Sequence, residues 1–209
     1  MLDKFKWLGH SSIKYSGNFI IYIDPYNIKD DLHDADYIFI THSYYDHFSP
    51  NDIMKCMNKE TIIIVTDDLV YLCLEYGFLK DSIISVLPNN NYKIHSLEFS
   101  TISAYNINSS YHPKQNNWVG YVITLDSYKY YIAGDTDVTD ENKMVKCDVA
   151  FLPVGGTYTM DYIEAARLAN IILPKVVVPI HYGTIIGDYD DAVNFKKLLY
   201  DSVECNFLN

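Results

Sequence analysis

Four apolar, strand-like runs of this chain are each followed by histidine or aspartate, and this pattern constrains the fold more than any other feature. The residues that follow the four runs are His42, Asp46 and His47, then His112, then Asp135, and finally His181. In α/β proteins, ligands bind beyond the carboxyl ends of strands, where loops from several strands converge. The pattern therefore predicts an α/β fold whose strand ends carry a polar site.

Short β-branched and aromatic runs alternate with helix-like segments along the chain. The predicted strands are Phe5–Leu8, Ser12–Tyr15, Phe19–Ile23, Tyr37–Ile40, Ile62–Val65, Ile83–Val86, Leu97–Ala104, Val119–Leu125, Tyr128–Ile132, Val149–Pro153 and Lys175–Pro179. The predicted helices are one that begins at Ser49-Pro50, followed by Asp67–Tyr76, Met160–Leu173 and Tyr189–Tyr200. The order gives two halves, each pairing a mixed sheet with helices, which predicts a four-layer αββα sandwich in a single domain spanning residues 1–209.

Composition restricts the partners of the chain. The net charge is −11 and Arg167 is the only arginine, whereas nucleic acid backbones require clustered lysine and arginine. No apolar run reaches membrane-spanning length, the N-terminus lacks the apolar core of a signal peptide, and the four cysteines show no paired spacing. We therefore expect a cytoplasmic protein that acts on a small molecule and binds neither nucleic acid nor membrane, and the sequence leaves a homo-oligomer open.

The densest polar cluster indicates a metal. His42, Asp46 and His47 lie within six residues, and imidazole nitrogens beside carboxylate oxygens are the ligands that borderline divalent metals prefer. The predicted cofactor is a divalent metal, one or two per chain, with zinc as the leading candidate and manganese, iron or nickel as alternatives. Isolated histidines predict no ligand, and this applies to His33 and His95.

Seven short motifs occur in an order that is typical of one family. They are Trp7-Leu8-Gly9-His10-Ser11-Ser12, Ile23-Asp24-Pro25, Thr41 to His47, His112-Pro113-Lys114 with Gly120-Tyr121, Ala133-Gly134-Asp135-Thr136-Asp137, Leu152-Pro153-Val154-Gly155-Gly156-Thr157-Tyr158-Thr159-Met160, and Pro179-Ile180-His181-Tyr182-Gly183. With these motifs the chain resembles the metallo-β-lactamase superfamily, and within it the metal-dependent hydrolases related to ascorbate-phosphate lactonase.

The resemblance implies two adjacent metal sites. One is complete in this sequence, with Asp46, His47 and His181 as ligands and Asp135 as a bridge to the other metal. The other site retains His42, with His112 as the candidate for its third histidine. Asp24 is expected to accept a hydrogen bond from a ligating imidazole, as such ligands require.

Tyr44 occupies the position where the family has the second motif histidine. A phenol titrates near pH 10 and is a poor ligand unless the metal ionises it. We therefore expect the first site to bind metal weakly or not at all. The alternative is that Tyr44 turns away, water fills the gap and two metals still bind.

The function implied by the resemblance is hydrolysis of a small ester, lactone or phosphoester by a metal-activated water. Asp46 is a ligand or the general base, and His10 contacts the substrate or donates a proton. The Gly155-Gly156-Thr157 turn either supplies backbone N–H groups to an oxyanion or is an ordinary strand-to-helix turn. A second hypothesis is a degenerate family member that binds a metal or small ligand without turnover, as a sensor or interaction module.

Overall fold

The computed structural model describes residues 1–208, which form two compact units, Met1–Leu87 and Pro88–Leu208. The first unit contains strands β1 to β6 and helices α1 and α2. These elements are β1 Phe5–Gly9, β2 Ser12–Ser16, β3 Ile20–Ile23, β4 Ala35–Phe39, α1 Pro50–Cys56, β5 Met57–Thr66, α2 Leu69–Glu75 and β6 Ile83–Val86. A short 3₁₀ turn, Lys80–Ser82, precedes β6.

The sheet of the first unit follows the chain order β1 to β6. Strands β1, β2 and β3 are antiparallel neighbours joined by tight turns. Strands β3 to β6 are parallel, and α1 and α2 provide the crossovers between β4 and β6. The carboxyl ends of β3 and β4 therefore lie side by side, which brings the segments after Ile23 and after Phe39 together.

The helices of the first unit pack on the sheet through an apolar core. Its residues include Ile38, Ile53, Ile63 and the two cysteines Cys56 and Cys73. Burial raises the pKa of both thiols to about 12, so they are protonated, unreactive core residues. All four cysteines of the chain are free.

The second unit contains strands β7 to β13 and helices α3 and α4. These elements are β7 Asn91–Ile94, β8 Leu97–Ser103, β9 Val119–Leu125, β10 Tyr128–Ile132, β11 Val149–Pro153, α3 Tyr162–Ile172, β12 Val176–Ile180, α4 Tyr189–Lys197 and β13 Glu204–Cys205. Two 3₁₀ turns, Lys114–Asn116 and Asn142–Met144, lie in its loops. The sheet order is β13-β12-β11-β10-β9-β8-β7.

Burial along these strands follows their pairing. Strand β8, which is antiparallel to both neighbours, alternates between buried and more exposed residues, whereas the parallel strands β11 and β12 are buried throughout. Pro179 is tolerated in β12 because the pairing with β13 involves only Val176 and Val177. The carboxyl ends of β10, β11 and β12 consequently meet at one edge of this sheet.

The eleven predicted strands and four predicted helices are present, with ends that shift by a few residues. Each unit combines a mixed sheet with two helices, as predicted, and two short edge strands, β7 and β13, were not predicted. Ser49 precedes α1, but its hydroxyl donates to Asp52 Oδ2 at 2.8 Å and makes no cap to the backbone. None of the helices among the described residues has the length and apolar character that a bilayer crossing requires.

Candidate metal centre

In the first unit, the loop after β4 folds into a tight turn around Tyr44. The Tyr44 carbonyl accepts the N–H groups of His47 at 2.9 Å and Phe48 at 2.7 Å. This turn brings the His42 and His47 rings to a centroid distance of 4.0 Å, and both side chains are buried. The three predicted ligands of this loop, the two histidines and Asp46, are thus held within one turn.

Asp24, at the end of β3, is the hydrogen-bond centre of this cluster. Its Oδ1 accepts the N–H of Thr41 at 2.8 Å, and its Oδ2 accepts the Thr41 hydroxyl at 2.7 Å. Nδ1 of His47 lies 2.8 Å from the same Oδ2. Asp24 therefore accepts a bond from an imidazole, which is the role expected for it.

These contacts determine the protonation of both imidazoles. The Thr41 hydroxyl donates to Asp24, so at its 2.9 Å contact with Nδ1 of His42 its oxygen accepts a hydrogen bond from the Nδ1–H of the ring. Nδ1–H of His47 donates to Asp24 itself. Each ring consequently presents Nε2 as a lone-pair donor, which is the tautomer that metal-binding histidines adopt.

His10, in the turn between β1 and β2, is directly paired with Asp46. Its Nε2 lies 2.9 Å from Asp46 Oδ2, and both side chains are buried. The Trp7 indole N–H donates to the His10 carbonyl at 2.8 Å and fixes this turn. The contact places His10 where it can exchange a proton with the Asp46 carboxylate.

The donor set of the first unit fits a divalent metal. One ligand atom from each of His10, Asp46 and His47 lies within 4.8 Å of the others, and the same holds for His42 and His47. Nitrogen and carboxylate donors at this spacing suit zinc or a neighbouring transition metal. His10, which was predicted as a catalytic residue and not as a ligand, lies next to this group through its contact with Asp46.

Tyr44 points its ring at His42. The two ring centroids are 5.3 Å apart with an interplanar angle of 72°, an edge-to-face arrangement, and Tyr44 is partly exposed. The residue therefore packs against the one retained histidine of the first predicted site.

The second unit brings together its three predicted ligands at the ends of β10 and β12 and in the loop before β9. Asp135 Oδ2 lies 3.1 Å from His181 Nε2 and 3.5 Å from His112 Nε2, and all three side chains are buried. The second unit thus places one aspartate and two histidines, which are ligand types that zinc takes, within contact distance.

Asn106 supports this second cluster and was not predicted. Its N–H donates to the His112 carbonyl at 2.9 Å, and its Nδ2 donates to the Tyr158 carbonyl at 2.8 Å. Its Oδ1 is buried without a hydrogen-bond partner among the described residues. The sequence gives only a weak signal, an asparagine two residues beyond a predicted strand; Thr41, also not predicted, has a stronger one, since it directly precedes His42.

Gly155 fits closely against His181. A Cβ at Gly155 would lie 2.3 Å from the His181 carbonyl oxygen, so the backbone approach requires glycine. The N–H of the next residue, Gly156, donates to the Met160 carbonyl at 3.1 Å. Gly156 is therefore engaged in the turn before α3, which favours the structural interpretation of this segment over an oxyanion role.

Four residues of the two clusters have left-handed backbone conformations. The φ angles are 52° for His10, 45° for Asp24, 54° for His112 and 58° for His181. Such angles are uncommon outside glycine and concentrate at functional sites. His33 and His95 have similar φ angles, 49° and 52°, but they are exposed, as expected of residues without a ligand role. Burial, and not the backbone angle, therefore distinguishes the histidines of the two clusters.

Comparison with known proteins gives a consistent family. The profile of the beta-lactamase superfamily domain matches residues 4–181. A UPF0173 metal-dependent hydrolase of Thermococcus kodakarensis is 31% identical over 213 residues, covering 96% of this chain and 94% of that protein.

Solved structures agree with this match. A protein of Parabacteroides distasonis is similar with a TM-score of 0.81 and 28% identity, covering 98% of this chain and 93% of the other. A metallo hydrolase of Ignicoccus hospitalis has a TM-score of 0.80 and 25% identity, covering 98% and 94%. The predicted fold class is confirmed by these similarities.

Proposed function

This chain belongs to the beta-lactamase superfamily, and from that premise we propose that its reaction is the hydrolysis of a small ester, lactone or phosphoester. The coarser prediction, a metal-dependent hydrolase, agrees with the name of its relative in Thermococcus kodakarensis. The closer relation to ascorbate-phosphate lactonase stays a prediction.

The hydrogen-bond network around Asp24 gives the strongest support. A buried carboxylate orients His47 directly and His42 through Thr41, and each ring is left with Nε2 as a donor to a metal. Burying so many polar groups is costly unless each is paired. A metal-binding role accounts for both the network and its burial.

The proposed metal ligands come from both clusters. They are His42, Asp46, His47, His112, Asp135 and His181. We propose one or two divalent ions per chain, with zinc as the leading candidate, and a first site weakened by Tyr44. When bound, the metal supplies Lewis acidity, which lowers the pKa of a water toward neutrality and polarises a substrate oxygen.

Asp46 and His10 are the proposed catalytic residues. The Asp46 carboxylate accepts the proton that the attacking water loses. His10 Nε2–H, which donates to Asp46 Oδ2 at 2.9 Å, gives its own proton to the departing oxygen of the substrate, and Asp46 then returns the proton of the water to Nε2.

Metal content and turnover, measured on the same preparations, test the proposal. Protein purified without chelator should contain about one to two equivalents of a divalent metal. Activity toward a panel of esters, lactones and phosphodiesters should be lost in Asp46→Asn and His181→Ala while circular dichroism stays unchanged. Unchanged activity in both variants would contradict the assignment.

Tyr44→His separates the two metal sites in the same assay. If Tyr44 weakens the first site, the restored imidazole should raise the stoichiometry by about one equivalent. Tyr71→His, an exposed tyrosine of α2, is the matched control and should leave it unchanged. A chain that takes up no metal at all would instead favour ligand binding without turnover.

A further inference from the structure

An uncharged groove opens in the first unit beside the loop that carries the predicted ligands. Its volume is about 400 Å³. The lining residues that matter here are Tyr26, Ser43, Tyr45, Phe48, Leu72 and Tyr76. Among the described residues that line it, none carries a charge. Pockets of this size that combine apolar walls with a few hydroxyl groups are typical of small-molecule sites.

A row of rings connects this groove to the catalytic pair. The Tyr45 ring lies 6.0 Å from the Tyr26 ring, and the Tyr26 ring lies 6.3 Å from the His10 imidazole, both edge to face. His10 in turn contacts Asp46 at 2.9 Å. A molecule in the groove would therefore be separated from His10 and Asp46, which are proposed to transfer the proton, by the Tyr26 ring alone.

Two rings of the groove wall are open to solvent. Tyr45 is 65% exposed and Tyr76 is 54% exposed, while Phe48 beneath Tyr76 is buried at a ring distance of 6.3 Å. Single exposed apolar residues are common on protein surfaces. Here they converge on one concave surface, where a flat apolar group would cover the two tyrosine rings and displace water from them.

The wall of the groove offers no counter-charge to an anionic occupant. No lysine, arginine or histidine is found among the described residues that line it, and the nearby Lys55 is bound to Asp52 and to the Ile28 carbonyl. The chain as a whole carries a net charge of −11. An anion in the groove would therefore lose hydration without a partner in the wall, and the net negative charge of the chain would repel it.

We infer that this groove binds the uncharged, ring-bearing part of the substrate. The inference rests on the proposed function and narrows it to neutral esters or lactones that carry an aromatic or similarly flat apolar ring. Tyr45 and Tyr26 are the specificity-determining residues, since they form the wall nearest His10.

Binding to chelator-treated protein tests the groove without any turnover. The probes are N-benzylacetamide, which is neutral, and benzylphosphonate, which has the same ring and a negative charge. In an NMR titration, N-benzylacetamide should bind the wild type, and benzylphosphonate should bind about fivefold more weakly because of like-charge repulsion. Tyr45→Ala should weaken the neutral probe roughly threefold to tenfold, the worth of one aromatic contact.

Tyr71→Ala is the matched control for this titration. Tyr71 is 68% exposed and lies in α2 but does not line the groove, so its loss should leave binding unchanged. Equal binding of both probes, or equal losses in Tyr45→Ala and Tyr71→Ala, would overturn the inference. The inference would also be overturned if the neutral probe failed to bind the wild type and Tyr45→Ala changed the oligomeric state. That result would indicate that a second copy of the chain covers the groove.

Turnover with metal restored separates this inference from the proposed function. Tyr45→Ala should reduce kcat/KM for ethyl phenylacetate roughly threefold to tenfold and leave ethyl acetate unchanged. If Tyr45→Ala reduced kcat/KM equally for both esters, the inference about the groove would be overturned and the proposed hydrolase function would stand. If the neutral probe bound in a Tyr45-dependent way but no ester or lactone were hydrolysed, the proposed function would be overturned. The groove would then stand as a ligand-binding site.

Discussion

Asp24 controls two imidazoles from one carboxylate. It accepts the Nδ1 proton of His47 directly and reaches His42 through the Thr41 hydroxyl. Since the tautomer of each ring decides whether Nε2 can donate to a metal, this single residue sets the binding capacity of both histidines. Asp24 makes no contact of its own with the proposed reacting atoms, and it therefore acts as a positioning residue.

Asp24→Asn should weaken metal binding with little change in shape. The amide retains one acceptor oxygen, but its NH₂ group replaces either Oδ2, which accepts from the Thr41 hydroxyl and from His47, or Oδ1, which accepts the Thr41 N–H, and the bonds made there are lost. We expect a loss of about 10- to 100-fold in metal affinity, as for other partners of ligating histidines. Calorimetric titration with zinc checks this value.

The control for that titration is Asp31→Asn, which makes the same chemical change at an exposed position of the same unit. Its affinity should equal that of the wild type. If Asp24→Asn bound zinc as tightly as the wild type, the hydrogen bonds around Asp24 would only stabilise the fold at the ends of β3 and β4.

At the residue scale, the proposed metal ligands could be predicted from the sequence, whereas the residues that hydrogen-bond to them could not. His42, Asp46 and His47 stand in one short motif, so their proximity follows from local sequence. Thr41 acts on Asp24, 17 positions earlier in the chain, and that contact depends on β3 and β4 pairing in parallel. Asn106 likewise acts through the fold of a loop, which sequence patterns do not specify.

Helix α1 fastens the segment that follows Asp24. Asp52, in the first turn of α1, accepts the N–H groups of Asn27 at 2.8 Å and Ile28 at 3.0 Å, together with bonds from Ser49 and Lys55. Burial alone would raise the pKa of Asp52, but these four bonds together lower it below its usual value. The helix thereby holds the loop that begins at Asp24.

Asp52→Asn should destabilise the chain in a pH-dependent way. A carboxyl whose folded pKa is depressed contributes stability above its unfolded pKa, near 4, and this contribution is lost as pH falls through the folded value. We expect a loss of about 1 to 3 kcal/mol in the free energy of unfolding at pH 7. Urea unfolding at pH 7, 5 and 3.5 should show a difference that is constant between the first two and smaller at the third.

Asp31→Asn again serves as the control and should match the wild type at each pH. A destabilisation by Asp52→Asn that is equal at all three pH values would show that packing of the side chain matters and its charge does not.

At the element scale, strands with strong apolar patterns were predicted well because burial dictates their composition. Val149–Pro153 matches the prediction, and Val176–Ile180 is shifted by one residue. The edge strands Asn91–Ile94 and Glu204–Cys205 are polar and short, so only pairing with a neighbour defines them. Ser49 is the N-cap residue of α1, but its hydroxyl donates to the Asp52 carboxylate and makes no bond to the backbone.

At the scale of the whole molecule, the metallo-β-lactamase fold follows from the order of the motifs and agrees with solved structures at TM-scores of 0.81 and 0.80. The prediction of a single domain stays a prediction, because the described chain consists of two compact units. It has a thermodynamic consequence, since one domain of this size unfolds in a single cooperative transition.

Bound metal should stabilise the native state of the whole chain and so raise the Tm of this single transition. A ligand present at about 100 times its Kd adds about 2.7 kcal/mol to the native state, which for a chain of this length corresponds to a rise in Tm of roughly 5 to 10 °C. Scanning calorimetry of chelated protein, with and without added zinc, measures the shift. His47→Ala in the first unit and His181→Ala in the second should each abolish most of it, because each removes a proposed ligand. The contrary result would be two separate transitions, with zinc raising the Tm of only one and only one of the two variants changing that rise. It would mean that the units unfold independently and that their ligands do not share a metal.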